Sequence, residues 1–185
     1  FLASPVFQQM FGWKESNHTM RSLTEGNALL SKAVVDSLDN QSNGRYRFGA
    51  DWKPFTHQLA SWKALLEKKH SVVVTSGTGS GKTECFMWPL LAKLADEARN
   101  SSDTWQMRGV RTIIMYPMNA LVSDQVSRLR RLIGDSENKF INIFREICGS
   151  NVRRPQFGMY TGRTPYPGLQ PNKNQDRRLE KTLRR

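Results

Sequence analysis

The residues whose types and spacing could do chemistry lie in "SVVVTSGTGSGKTECFMW", residues 71–88. Within "SGTGSGKT", Gly79 and Gly81 allow dihedrals and close approaches that side chains bar, so successive backbone N–H groups can turn inward around a phosphate. Lys82 would then reach the β- and γ-phosphates, and Thr83 would offer its hydroxyl to Mg²⁺. A helix beginning near Lys82 would add the partial positive charge of its N-terminus. The expected contact set is Ser76, Gly77, Thr78, Gly79, Ser80, Gly81, Lys82, Thr83 and Glu84, with Lys82 and Thr83 closest to the chemistry and Thr83 the metal ligand. Ser76 stands where the pattern GxxxxGK[ST] has its first glycine, so context carries the reading: an apolar run ends at Thr75 and a helix follows.

The surrounding elements must hold this loop. Upstream, "DWKPFTHQLASWKALLEKKH" pairs a proline-initiated turn with a helix burying Leu59, Trp62, Leu65 and Leu66, and "SVVVTS" reads as a buried strand. Downstream come a helix over roughly residues 82–99, a polar loop "NSSDTWQMRG", and a second strand "VRTIIMYP". "NALVSDQVSRLRRLI" puts Leu121, Val122, Val126, Leu129, Leu132 and Ile133 on one helical face, and "PQFGMYTG" reads as a third strand. Strand, glycine turn, helix, strand is a βαβ unit, which predicts an α/β fold. The first 50 residues carry a helix at "EGNALLSKAVVDSLD" and read as a mainly helical N-terminal extension.

Several of these motifs resemble the first motor lobe of superfamily 2 helicases of the DEAD/DEAH kind: "PFTHQ" ahead of the glycine loop, "SGTGSGKT" itself, "YPMNALVSDQVSRLRRL" and "GMYTGRTP". The resemblance spans about residues 51–168. It implies an incomplete RecA-like P-loop lobe, a parallel sheet flanked by helices, followed by a basic tail at 169–185. It adds Phe55 and Gln58 to the nucleotide set, since an amide can both donate to and accept from an adenine edge. It also implies that Pro117, Met118 and Asn119, with Thr161, Gly162 and Arg163, lie on a nucleic-acid backbone. Helices similar to the one after the glycines often carry proline where this chain has Pro89, which implies a kink there. "SGTGSGKTECF", "YPMNAL" and "MYTGRTP" together look like the large bacterial antiphage-defence helicases of the Druantia and DISARM types. That likeness implies ATP and Mg²⁺ as cofactors, DNA ahead of RNA as partner, and the rest of a larger polypeptide or other defence subunits as neighbours.

Composition bounds the alternatives. The 185 residues suffice for one sizeable core but not for two full lobes. A net charge of +12 favours an anionic partner, and residues 151–185 contribute +7 of it, with nine Lys or Arg against Asp176 and Glu180. No window approaches the ~18 consecutive apolar residues of a membrane span. Cys85 and Cys148 lack metal-ligand spacing and read as reduced thiols, which points to the cytoplasm. The opening "FLASPVFQQMFGW" has no initiator Met and no basic region before its apolar start, so a signal peptide is unsupported and Phe1 is not expected to be a natural beginning.

Hydrolysis in such motors needs an Asp for Mg²⁺ and a Glu to orient water, together at the end of a later strand. The one Asp-Glu pair, Asp96-Glu97, falls on the helix after the loop and is rejected as that motif. Two classes of function therefore stand: an ATP-dependent nucleic-acid motor of which this chain is part, or a non-catalytic ATP- or nucleic-acid-binding adaptor. A small-molecule kinase would explain the loop but neither "YPMNAL" nor the basic excess.

Overall fold

The computed structural model describes residues 12–39, 47–133, 139–149, 153–162 and 164. Among these residues six α-helices follow in order: α1 (Lys32–Asp39), α2 (Thr56–Leu66), α3 (Lys82–Asn100), α4 (Ser102–Gln106), α5 (Asn119–Ile133) and α6 (Lys139–Cys148). The chain divides into two compact units. One is Phe1–Ile113 with Leu129–Pro155, and the other is Ile114–Arg128 with Gln156–Arg185.

The expected α/β sheet is not found. Among the described residues there is no β-strand, only an isolated antiparallel bridge between Glu15 and Phe55. The three runs read as strands, "SVVVTS", "VRTIIMYP" and "PQFGMYTG", have no ladder partner, and Val73, Val110, Ile113 and Met115 stand between 77% and 90% exposed. The error has a physical source. β-branched and aromatic residues suit a strand, but a strand exists only where another segment supplies hydrogen bonds across it, and that is a long-range condition no local run contains. The N-terminal extension also departs from expectation. Among its described residues the α-helix is α1, beginning at Lys32 instead of near Glu25, and a 3-10 turn at Ser22–Thr24 precedes it. The amides of Leu29 and Leu30 both donate to the Leu23 carbonyl, so the chain folds back where a helix was expected. The segment 102–106, expected as loop, forms the short α4.

Three helices do form where the pattern put them. Phe55, in extended conformation, stands at the N-cap of α2, and its amide donates to Oε1 of Gln58 at 2.9 Å. The helix stops at a reversal in which Lys69 takes a positive φ of 54° and the His70 amide reaches the Ala64 carbonyl. Helix α3 starts from Gly81, carries Glu84 in its first turn and Arg99 in its last, matching the helix dipole at both ends, and includes the buried Pro89. Helix α5 covers the expected "NALVSDQVSRLRRLI", with Leu132 and Ile133 buried and Leu121 exposed.

The core of the first unit is built around α3, whose Met87, Trp88, Leu91, Ala92, Ala95 and Ala98 are all buried. Helix α2 packs along one side, and α1 and α6 pack against each other and against α3. Aromatic contacts fill the large gaps: Trp88 meets Trp62 at 6.0 Å between ring centroids and Phe48 at 5.7 Å, while Trp105 meets Phe144 at 5.6 Å. Replacing Trp88 by Ala should cost about 3–5 kcal/mol in urea unfolding, the range for large aromatic truncation in a core. Lys69→Gly should instead stabilise by about 1 kcal/mol, because glycine adopts the left-handed conformation without a Cβ penalty.

Candidate functional site

The loop between α2 and α3 takes its shape from two glycines. Gly79 has φ +80° and Gly81 has φ +72°, a region glycine enters freely and side chains rarely do. Between them Ser80 is fully buried, its hydroxyl 2.6 Å from that of Ser76, so the two serines staple the loop across its base. The Lys82 ammonium folds back over the loop and donates to the carbonyls of Ser76 at 2.8 Å and Gly77 at 2.6 Å. Those carbonyls hold the cation where an anion entering the loop would meet it. Gly77, Thr78 and Gly79 are exposed, and Thr83 and Glu84 lie in the first turn of α3.

Helix α2 holds the loop from behind with side-chain donors. Gln58 Nε2 donates to the Gly81 carbonyl at 3.1 Å, Trp62 Nε1 to the Glu84 carbonyl at 2.9 Å, and Ser61 Oγ to the Cys85 carbonyl at 3.2 Å. His57 Nε2 donates to the Ser80 carbonyl at 2.9 Å. Both ends of the Gln58 amide are therefore engaged within the protein, by Phe55 and by Gly81, and reading an adenine edge would require it to exchange one of them. A cavity of about 550 Å³ opens beside the two glycines, walled by Trp52, Phe55, Trp88 and Gln58, which suits a flat ring at the edge of a phosphate loop. Thr83 carries its hydroxyl in the first turn of α3, and no group of three His, Cys, Asp or Glu side chains among the described residues could hold a metal.

All of the residues expected to hold nucleotide, from Phe55 and Gln58 through Glu84, thus lie on α2, the loop and the first turn of α3. His57 and Trp13, which sequence reasoning did not select, lie against the same loop, and Trp62, expected only as a buried helix residue, holds the first turn of α3. His57 sits inside "PFTHQ" and could have been found there, whereas nothing in the sequence marks Trp13. The residues expected on nucleic acid belong to the second unit. Met118 is exposed beside Pro117, Asn119 opens α5, and Thr161 and Gly162 sit in a turn where the Thr161 amide donates to Thr164 Oγ1 at 2.8 Å. Arg163 and the basic tail at 169–185 lie outside the described residues.

Asp96 and Glu97 lie near the far end of α3 and are used there. Glu97 receives both Nε and Nη2 of Arg111 at 3.3 and 3.2 Å, and Asp96 accepts from Asn100. The Arg111 guanidinium also donates to the carbonyls of Thr104, Met107 and Gly109 and lies 5.6 Å from the Trp105 ring centroid, a half-buried clamp at the end of α3 away from the glycine loop.

Comparison with known proteins settles the kinship. The family model for DEAD/DEAH box helicases matches residues 55–164. The chain belongs to the DEAD/DEAH box helicase family. It is similar to the Druantia protein DruE of Escherichia coli strain UMEA 4076-1, 44% identical over 144 residues, covering 77% of this chain and 7% of that protein. It is also similar to the uncharacterized ATP-dependent helicase YprA of Bacillus subtilis strain 168, 31% identical over 58% of this chain and 11% of that helicase. The DEAD-box ATP-dependent RNA helicase 39 of Arabidopsis thaliana is 32% identical over 56% of this chain and 16% of its own length. The chain spans 7% and 11% of the first two of these relatives. No solved structure matches. Among the described residues, no helix is long and apolar enough to cross a membrane.

Two outcomes follow from the loop geometry of this helicase-family chain. A Cβ on Gly81 would fall 2.3 Å from Gln58 Nε2, so Gly81→Ala combines a left-handed strain of about 1–2 kcal/mol with loss of the Gln58 contact. It should lower the denaturation midpoint more than Gly79→Ala, whose Cβ meets nothing within 4 Å. Cys85 is buried, and burial, helped by the neighbouring Glu84 carboxylate, pushes its thiol pKa up. Peptide mapping after iodoacetamide at pH 8 should show Cys85 alkylated at least about tenfold more slowly in the native protein than in urea.

Proposed function

We propose that this chain is the ATP-holding segment of a DEAD/DEAH box helicase, one that binds ATP with Mg²⁺ and touches nucleic acid without hydrolysing ATP by itself. The observation that carries the reading is the loop at 76–83: two glycines of positive φ, a lysine folded across their carbonyls, and the start of a 19-residue helix, in a chain of this family. Backbone N–H groups and a helix N-terminus attract phosphate, and Lys82 supplies the matching charge. The triphosphate would draw the Lys82 ammonium away from the Ser76 and Gly77 carbonyls, and Thr83 would add its hydroxyl to the shell of Mg²⁺. The aromatic cavity beside Phe55 and Gln58 would take the base.

Binding without turnover is favoured for this chain because its single Asp-Glu pair is committed to Arg111 and Asn100 and not to the loop. For the whole protein, kinship with helicases and with a Druantia protein supports an ATP-driven motor on nucleic acid, DNA ahead of RNA, in antiphage defence. Pro117, Met118, Asn119, Thr161, Gly162 and Arg163 would then track the sugar-phosphate backbone without reading bases.

Isothermal titration with ATP and Mg²⁺ checks the first claim: saturable binding by the wild type and at least about tenfold weaker binding by Lys82→Ala. Unimpaired binding by Lys82→Ala would end the reading of this loop as the nucleotide site. Single-strand affinity falling steeply between 50 and 200 mM salt would support a backbone grip, and a salt-indifferent curve would count against it.

A further inference from the structure

The segment preceding α1 reaches the glycine loop through one side chain. Its backbone pairs antiparallel with the entry to α2: the Ser16 amide donates to the Pro54 carbonyl at 2.8 Å, and the Thr56 amide to the Lys14 carbonyl at 2.9 Å, around the Glu15–Phe55 bridge. That register delivers the Trp13 indole to the loop. Its ring lies edge-on to His57 at 5.6 Å between centroids, and His57 stacks on Phe55 at 5.8 Å while donating to the Ser80 carbonyl. A Cβ built on Gly77 would stand 3.4 Å from Trp13 Cζ2, so the indole lies alongside the exposed start of the loop.

We infer that Trp13 is a positioning residue for nucleotide binding, a buttress lent by the N-terminal segment that pre-orders residues 77–81 through His57 and by walling the side of Gly77. Three exposed loop residues must lose freedom to wrap a phosphate, and a ring already seated on His57 and beside Gly77 removes part of that cost before the ligand arrives. Trp13 itself remains 39% exposed. Its loss should therefore be felt at the loop far more than in the core. The inference rests on reading the loop as a nucleotide site, yet the contact can be tested apart from that reading.

Hydrogen exchange in the intact protein without nucleotide reads the contact alone. Amides 77–81 should exchange about fivefold faster in Trp13→Ala, within about twofold of wild type in Trp13→Phe, and α2 and α3 should keep their protection. Titration with ATP and Mg²⁺ should then show about fivefold weaker binding by Trp13→Ala, rescued by Trp13→Phe. Unchanged loop exchange overturns the inference, and so does faster exchange spread through α2 and α3, which would make Trp13 an ordinary packing residue. Equal ATP affinity in wild type and Trp13→Ala overturns it too and leaves the nucleotide site standing. If wild type binds no ATP, the nucleotide reading fails and the positioning role with it, while the exchange data still decide whether Trp13 buttresses the loop.

Discussion

Much of the first unit depends on the apposition of α2 and α3 and on the hydrogen bonds sewn across it. Gln58, Ser61 and Trp62 project from one face of α2 and donate to the carbonyls of Gly81, Glu84 and Cys85, all in or just before the first turn of α3. Those donors are buried, so each unmade bond would leave a polar group stranded away from water. The joint therefore sets where α3 begins. Because α3 is also the centre of the hydrophobic core, the polar contacts at its start are followed one turn later on the same face by Trp88, which packs on Trp62 of α2.

A loop pinned this firmly at its C-terminal end can stay open at the other. Ser80 is sealed beneath the loop and Gly81 is held by Gln58, while Gly77, Thr78 and Gly79 face solvent. The loop is thus anchored where the helix begins and solvent-facing where it starts, with Trp13 beside Gly77. Lys82 occupies the mouth meanwhile, its charge satisfied by two carbonyls that an anion could replace. At the far end of α3, Arg111 ties the helix to α4 and to the turn after it through Glu97 and three carbonyls. Of the two acidic neighbours that might be mistaken for a catalytic pair, Glu97 is consumed by that clamp and Asp96 by Asn100.

The exposed apolar runs deserve a physical reading alongside the packed helices. Val73, Val110, Ile113 and Met115 are residue types that proteins bury or pair, yet here they meet solvent. In 71–76 the side chains still alternate, with Val72, Val74 and Ser76 turned partly inward and Val73 and Thr75 outward, as an extended backbone requires. Extended conformation thus persists without a ladder, since alternation is a local property and pairing is not.

The sequence by itself determined what local chemistry determines. "SGTGSGKT" fixes a left-handed glycine loop ahead of a helix, and the 3.6-residue period places α3 and α5 within a residue or so and α2 inside the stretch 51–70. The same motifs also announce the helicase family. Tertiary structure alone decided whether apolar runs become strands, because sheet formation waits on a distant partner, and the described residues provide none. It also decided that the stretch at 25–31 turns back on Leu23 instead of joining α1, and that Gln58 spends its amide on Phe55 and Gly81. Trp13 is the clearest case: it lies 64 positions before Gly77, no pattern links the two, and only the pairing of residues 14–16 with 54–56 brings the indole to the loop. Periodicity and glycine dihedrals are encoded within a few residues, whereas such meetings depend on packing that the whole chain must complete first.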